Sequence, residues 1–321
     1  MLKEMRIYGY NALIRQYTGY PSWLFLPCHS EHGIMMKGEI LESDLQTDKP
    51  LMLIGARYSY DLWKERSELP AILSGSPFVH HRRKHQIEQS GDASGSVAFP
   101  AHTVPGIQTH FDIEKYCDQL RELPNEFQPV TICLHWQCVK IGRDEIYRRA
   151  GFDVTCAGRA RERHFARNFY EILRRHRYST SNLVGSYVFY SVEMNIPFFL
   201  TGDTPTFTST GADSNVPKGD YTTDFIPGID SVKTAFNTGP ITTITREQRE
   251  LVEEAVGIND CKSGPELKKA LLEAFRTHYL KTQPWAVLGW MLKSLIRLPA
   301  VFLEESGLRS RHSSPGGSRA A

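Results

Sequence analysis

Short apolar runs alternate with stretches of helical period along most of the chain. WLFLP (23–27), PLMLIGA (50–56), PAILSGS (70–76), SVAFPA (96–101), PVTICLHW (129–136), FDVTCAG (152–158) and IPFFLTG (196–202) read as buried parallel strands. Between them, FDIEKYCDQLREL (111–123) places Ile113, Tyr116, Cys117 and Leu120 on one face and acids in its first turn, where the helix dipole favours them. RDEIYRRAG (143–151) closes on a glycine, a helix stop. Residues 161–175 and the stretch after YSTSN continue the helical series. This alternation predicts βαβ units on a parallel sheet, and so an α/β fold.

Two stretches interrupt the pattern. HHRRKHQIEQSGDASG (80–95) runs from charge into Gly and Ser and is expected to be a linker. The expected organisation is therefore an N-terminal α/β domain over 1–90, a second over 95–245, closing helices over 246–305 and a disordered low-complexity tail over 306–321. Residues 205–245, rich in Thr, Asp, Gly and Pro, are expected to form a long loop region, which in a compact domain is more often functional than idle.

Composition narrows the function classes. At 321 residues, 40% hydrophobic and 23% charged, the chain has ample material for a core. A net charge of +2 gives no one-sided field of the kind nucleic acid selects, so any anion site must be local. The six cysteines show no CxxC spacing and read as reduced, mostly buried thiols. The start MLKEMRIYGY lacks the layout of a signal peptide, and no apolar run is long enough to span a bilayer. A cytoplasmic protein is expected. Neither HHRRKH (80–85) nor the acids Glu39, Glu42, Asp44 and Asp48 make a good metal pattern; a solvated linker and a solvated face are expected, with no metal or cofactor.

Candidate chemistry gathers at strand ends. In RYSTSNLVGSYVFYSVEMNIPFFLTGDTP (177–205), Ser181, Asn182, Gly185 and Ser186 lie between a strand and a helix expected to begin near Ser181. A helix start offers unpaired N–H groups and positive potential, hydroxyls donate to phosphate, and glycine permits close approach. The same residues also suit plain helix capping and helix-to-sheet packing. His29 and His32 follow the run WLFLP and lead into Gly33 and Lys37, while His102 and Thr103 follow SVAFPA before a Pro105-Gly106 turn. A neutral imidazole there can take a proton from an attacking hydroxyl.

This order of a His-Gly turn, a His turn and a serine turn before an IP-type strand resembles sugar-nucleotide glycosyltransferases of the GT-B architecture. More narrowly it is similar to bacterial capsule and surface-polysaccharide enzymes, a group that includes teichoic-acid polymerases and bacterial sialyltransferases. His32-Gly33 with Lys37 looks like their His-Gly motif, and Val184-Gly185-Ser186 with Pro197 like their serine turn, with glycine replacing the first serine. Where many such enzymes carry an acid for the donor ribose, this chain has Tyr190, with Glu193 a turn later. The resemblance implies two facing Rossmann-like domains with C-terminal helices and a metal-independent transfer from a nucleotide-sugar donor to a glycan or glycolipid acceptor. It implies His32 as base, and His29, Gly33, His102, Thr103, Arg159, Ser181, Asn182, Gly185 and Ser186 on the donor side. A nucleotide-sugar epimerase and a non-catalytic polysaccharide-assembly protein are the competing readings. PWAVLGWMLKSLIRLPAVFLEE (284–305) suits either internal packing or peripheral contact with the cytoplasmic face of a membrane.

Overall fold

The computed structural model describes residues 4–292 except Arg6. Eight strands build two parallel sheets. The smaller is ordered β1 (His29–Ser30), β2 (Met52–Ile54), β3 (Ala71–Leu73). The larger holds β4 (Ser96–Ala98), β6 (Val130–Cys133), β7 (Asp153–Thr155), β8 (Tyr178–Ser181) and β9 (Phe198–Leu200), in the order β7-β6-β4-β8-β9. The chain thus builds outward from β4 through β6 to β7, then returns to the other side of β4 for β8 and β9. The order reverses between β4 and β8, and in open α/β sheets that reversal opens a crevice beyond the strand ends. The α/β expectation holds.

Burial explains why these runs are strands. Val97 and Ala98 are both fully buried but join opposite clusters, as do Phe198 and Phe199. Successive side chains of a strand point to opposite faces, so a sheet covered on both sides needs continuous apolar runs. One face of the large sheet packs on α5 (Ile113–Arg121) and α7 (Asp144–Arg149) through Tyr116, Leu120 and Tyr147. The other faces a central core supplied by α1 (Tyr10–Thr18), α4 (Pro77–Lys84), α8 (Phe165–Leu173), α9 (Ser186–Glu193), α10 (Ile229–Phe236) and α11 (Arg246–Val256). Leu53 of β2 joins this core, whereas Met52 and Ile54 turn away to Trp63 of α3 (Arg57–Arg66). The two parallel sheets therefore share one central layer. A short α2 (Glu42–Leu45) and α6 (Trp136–Lys140) complete the helices before α12 (Gly264–Ala274).

Several expectations are corrected. WLFLP is buried at Leu24, Phe25 and Leu26 but is not a strand; pairing begins only at His29. Residues 80–84 are helical rather than linker. Pro77 at the first turn suits a helix start, and His80 is buried, bonded to the Ser74 carbonyl at 2.6 Å and stacked on Tyr17 at 3.5 Å. The acidic cluster is a solvated face only at Glu42 and Asp48; Asp44 is buried against His29 at 2.8 Å, and Glu39 accepts the Met36 amide at 2.8 Å. The 205–245 region carries α10 and an antiparallel sheet of β5 (Ile107–His110), β10 (Thr206–Ser209) and β11 (Gly219–Tyr221), with Phe207 opposite Thr109 and Tyr221.

All six cysteines are free, four of them buried. At the carboxyl end α11 and α12 each open with a capping box, and α12 continues through a wider π turn, Phe275–Leu280. Residues 284–292 are helical, with Val287 buried and Trp290 edge-on to Phe25 at 5.2 Å, while Trp285, Leu288 and Leu292 face outward. The rest of the 284–305 stretch and the 306–321 tail lie outside the described residues. Among the described residues no helix is long and apolar enough to cross a membrane.

Candidate functional site

A cavity of about 220 Å³ lies beyond the carboxyl ends of strands from both parallel sheets. Five strands contribute through the residues that follow them: His32 and Gly33 after β1, Phe99 and His102 after β4, Leu134 and His135 after β6, Ala157 and Gly158 after β7, Gly185 and Ser186 after β8. Tyr8 and Tyr10 from the amino end, Phe78 of α4, Phe165 and Phe169 of α8, and Tyr187 and Tyr190 of α9 make the wall largely aromatic. Tyr190 stacks on Phe78 at 4.8 Å and Tyr187 on Phe99 at 5.0 Å, so the rings are locked by packing. Such a wall suits the flat apolar face of a sugar or base, with a few polar groups to orient it.

His32, Gly33, His102, Gly185 and Ser186, scattered over the sequence, meet here. The His32 ring keeps an accessible edge, bonds the Tyr8 hydroxyl through Nε2 at 3.2 Å and packs edge-on to that ring at 5.2 Å. Desolvation by the surrounding protein lowers its pKa, opposed by Asp44 and Asp213, so the imidazole is neutral at physiological pH. Gly33 has φ +84°, and a Cβ there would sit 2.5 Å from Ser186 Oγ. Its amide donates to the Tyr10 hydroxyl at 3.2 Å, and the Ile34 amide donates to Ser186 Oγ at 3.0 Å. The His-Gly turn and the serine turn are thus clasped together.

The serine turn differs from expectation. α9 begins at Ser186, and Gly185 rather than Ser181 occupies its cap position with no side-chain cap. Gly185 is extended, which any residue tolerates; a Cβ there would meet the Tyr187 ring at 2.7 Å, so glycine answers to packing. Ser181 is fully buried: its hydroxyl donates to the Phe99 carbonyl at 2.6 Å and accepts the Leu183 amide at 3.0 Å. Asn182 is also buried; Oδ1 accepts the Ala101 amide at 2.9 Å and Nδ2 donates to the Asp203 carbonyl at 3.4 Å. Both stitch the loops after β4, β8 and β9 together and do not line the cavity. Thr103 is buried as well, its Oγ1 accepting the Thr109 amide at 3.2 Å to shape the turn after β4.

Other candidates lie elsewhere. His29 is tied to Asp44, and Lys37 reaches Glu254 at 3.7 Å. Arg159 is exposed next to Gly158 of the wall, with its guanidinium 5.6 Å from the Trp136 ring centre. Glu193 does not reach the cavity: it lies 2.6 Å from Arg82 and 3.1 Å from Arg83 on α4. Among the described residues no three His, Cys, Asp or Glu side chains group as metal ligands.

The sequence reading passed over His135. It follows the run PVTICL just as His102 follows SVAFPA, so the signal of a histidine after a buried strand was present. The two rings stack at 4.5 Å with 21° between their planes. Burial pushes His102 down to about 3, with His135 adding to the shift, and His135 down to about 4.

No family model matches the sequence, and no curated protein matches it. Among solved structures, one of the wall teichoic acid polymerase TagF with CDPG superposes with a TM-score of 0.34 and 10% identity over 76% of this chain. A second TagF structure gives 0.36 and 10% over 79%. The chain spans 65% of the first polymerase chain and 68% of the second. At these scores the superpositions carry nothing from TagF to this chain.

Proposed function

We propose that the chain is a glycosyltransferase of the GT-B kind, moving a sugar from a nucleotide donor to the hydroxyl of a glycan or glycolipid across this cavity. The observation that carries the reading is the convergence of imidazoles from both parallel sheets, His32 from one and His102 from the other, beside the uncapped start of α9. On this reading the lobes around the two sheets, 1–90 and 95–245, are the facing domains, the first holding acceptor and the second donor. A bacterial surface polysaccharide and the cytoplasmic side of a membrane are the proposed setting.

In the transfer, the bond from the anomeric carbon to the donor phosphate breaks and a bond to the acceptor oxygen forms. His32, its pKa lowered by the surrounding protein, takes the acceptor proton. The nucleoside diphosphate leaves toward the reversal point between β4 and β8, where His102, the Ser186 hydroxyl and the first amides of α9 receive its charge. Gly33 holds His32 at the wall; Thr103, Ser181 and Asn182 hold the loops that present His102 and Gly185. Arg159, at the rim, is positioned to meet a phosphate from outside. His29 acts from a distance, anchoring β1 through Asp44. Metal independence is part of the proposal.

A thermal-shift panel of nucleotide sugars, followed by rates for His32→Ala and Ser186→Ala, tests the reading. His32→Ala should lower turnover by about 10²–10⁴-fold, while Ser186→Ala should mainly raise the donor KM. Folded variants with wild-type rates would remove the site assignment. Isomerised sugar formed without acceptor would point to an epimerase, and a folded protein that binds no nucleotide to an assembly role.

A further inference from the structure

His102 and His135 are not equivalent members of their stack. The ring nitrogens of His102 make no hydrogen bond among the described residues, and the residue lines the cavity. His135 has one ring nitrogen committed to main chain. Nδ1 accepts the Gln137 amide at 3.3 Å, capping α6, which leaves the proton of the neutral ring on Nε2. The Thr103 main chain nearby favours the protonated form of this ring, against the burial that lowers its pKa. Protonating Nδ1 would set two N–H groups against each other at Gln137. One ring is therefore fixed in tautomer and orientation, and the other lies on it with free nitrogens.

We infer that His135 is a positioning residue: a locked platform that holds the His102 ring flat, with its nitrogens presented to the cavity and the departing anion. This rests on the transfer reading for its purpose but not for its geometry. Two interactions of His135 can be separated. His135→Phe keeps a flat ring and loses the cap; His135→Asn keeps a good capping acceptor and loses the ring. The titratable groups that share the cavity with His102 are His135 and Cys133 at the end of β6, Tyr187 and Tyr190 of α9, and Tyr8, Tyr10 and His32 across it. Of these His135 acts on its charge, lowering its pKa.

The test measures the His102 ring titration by NMR on the full chain with labelled histidine, together with kcat and KM for transfer. With His135→Phe, the titration should move up only slightly, because the His135 charge is removed while the ring still covers His102, and kcat should stay within about threefold, since the stacked ring is retained. With His135→Asn, the titration should move up by about one unit as water reaches the ring. kcat should fall by about ten- to a hundredfold with little change in KM. If Phe does the damage and Asn does not, His135 is only a helix cap; if both act alike, or neither acts, the platform does not exist. Should the unaltered protein transfer no sugar, the NMR result still decides the platform, so failure of the transfer reading and failure of this inference remain distinct.

Discussion

Ser181 and Ser186 share a side chain and a turn, yet one is sealed between β8 and the Phe99 carbonyl and the other stands on the cavity wall. Nothing in the residue type separates them; strand register does, because β8 runs to Ser181 and carries it inside. Glu193 makes the same point with a measurable cost. Its carboxylate is 4% exposed and clamps Arg82 through two bonds, at 2.6 and 2.7 Å, with Arg82 itself 14% exposed. Removing it leaves a half-buried guanidinium without its anion, and breaking such a pair typically costs about 3–5 kcal/mol. Glu193→Ala should therefore lower the denaturant midpoint clearly. Glu250→Ala, which breaks the exposed Arg246 pair at 91% and 60% exposure, should leave it nearly unchanged. Glu193 was legible as a helix residue near the donor side, but not as a tie to α4, since its partners are more than a hundred positions away.

At the scale of elements, pattern was a good guide where an element is covered on one known side. The stripe Tyr116, Cys117, Leu120 is buried as its spacing requires, and Asp112 caps α5 by accepting the Lys115 amide at 2.9 Å. It failed for α4, whose charged sequence hides buried Phe78, Val79 and His80 in its first half. The helix over 284–292 has an inner and an outer side. Val287 and Trp290 pack inward, and Trp285, 83% exposed, stands with Leu288 and Leu292 on the outer side. An outward apolar face of this kind is what a lipid interface takes up. The proposed membrane contact predicts flotation with anionic liposomes that weakens when Trp285 and Leu288 are changed to Ser. Protein that stays at the bottom of the gradient rejects the contact.

For the whole molecule, buried titratable groups set a pH optimum. His80, His81 and His135 are each pushed down to about 4 and His102 to about 3, all chiefly by burial. In the unfolded chain they bind protons from their ordinary value of 6.5 downward, while the folded chain does not, so stability is lost as pH falls from about 6.5 toward 4. Glu31 acts oppositely. Burial raises its carboxyl to about 8, although the Gly55 amide donates to it at 2.6 Å. The folded state holds that proton over a range where the unfolded state has released it, so stability falls as pH rises from about 4.5 to 8. Four histidines outweigh one carboxyl in acid and leave the maximum near neutrality. Tm measured from pH 5 to about pH 9 should peak there, and Glu31→Gln should flatten the alkaline side. An alkaline slope that survives the substitution rejects the Glu31 assignment.

The sequence alone determined the α/β class, most of the buried strands and the presence of histidines just past strand ends, because strand periodicity and turn chemistry are local signals. It marked Ser186, His32 and His102 as chemistry at strand ends; His135 carries the same signal and was passed over. Only the tertiary structure decided which of these meet. That choice depends on the reversal of strand order at β4, on the two sheets sharing one central layer, and on Gly33 closing against Ser186. Each is a contact between residues far apart in the chain, fixed by how whole faces pack and not by any spacing along it.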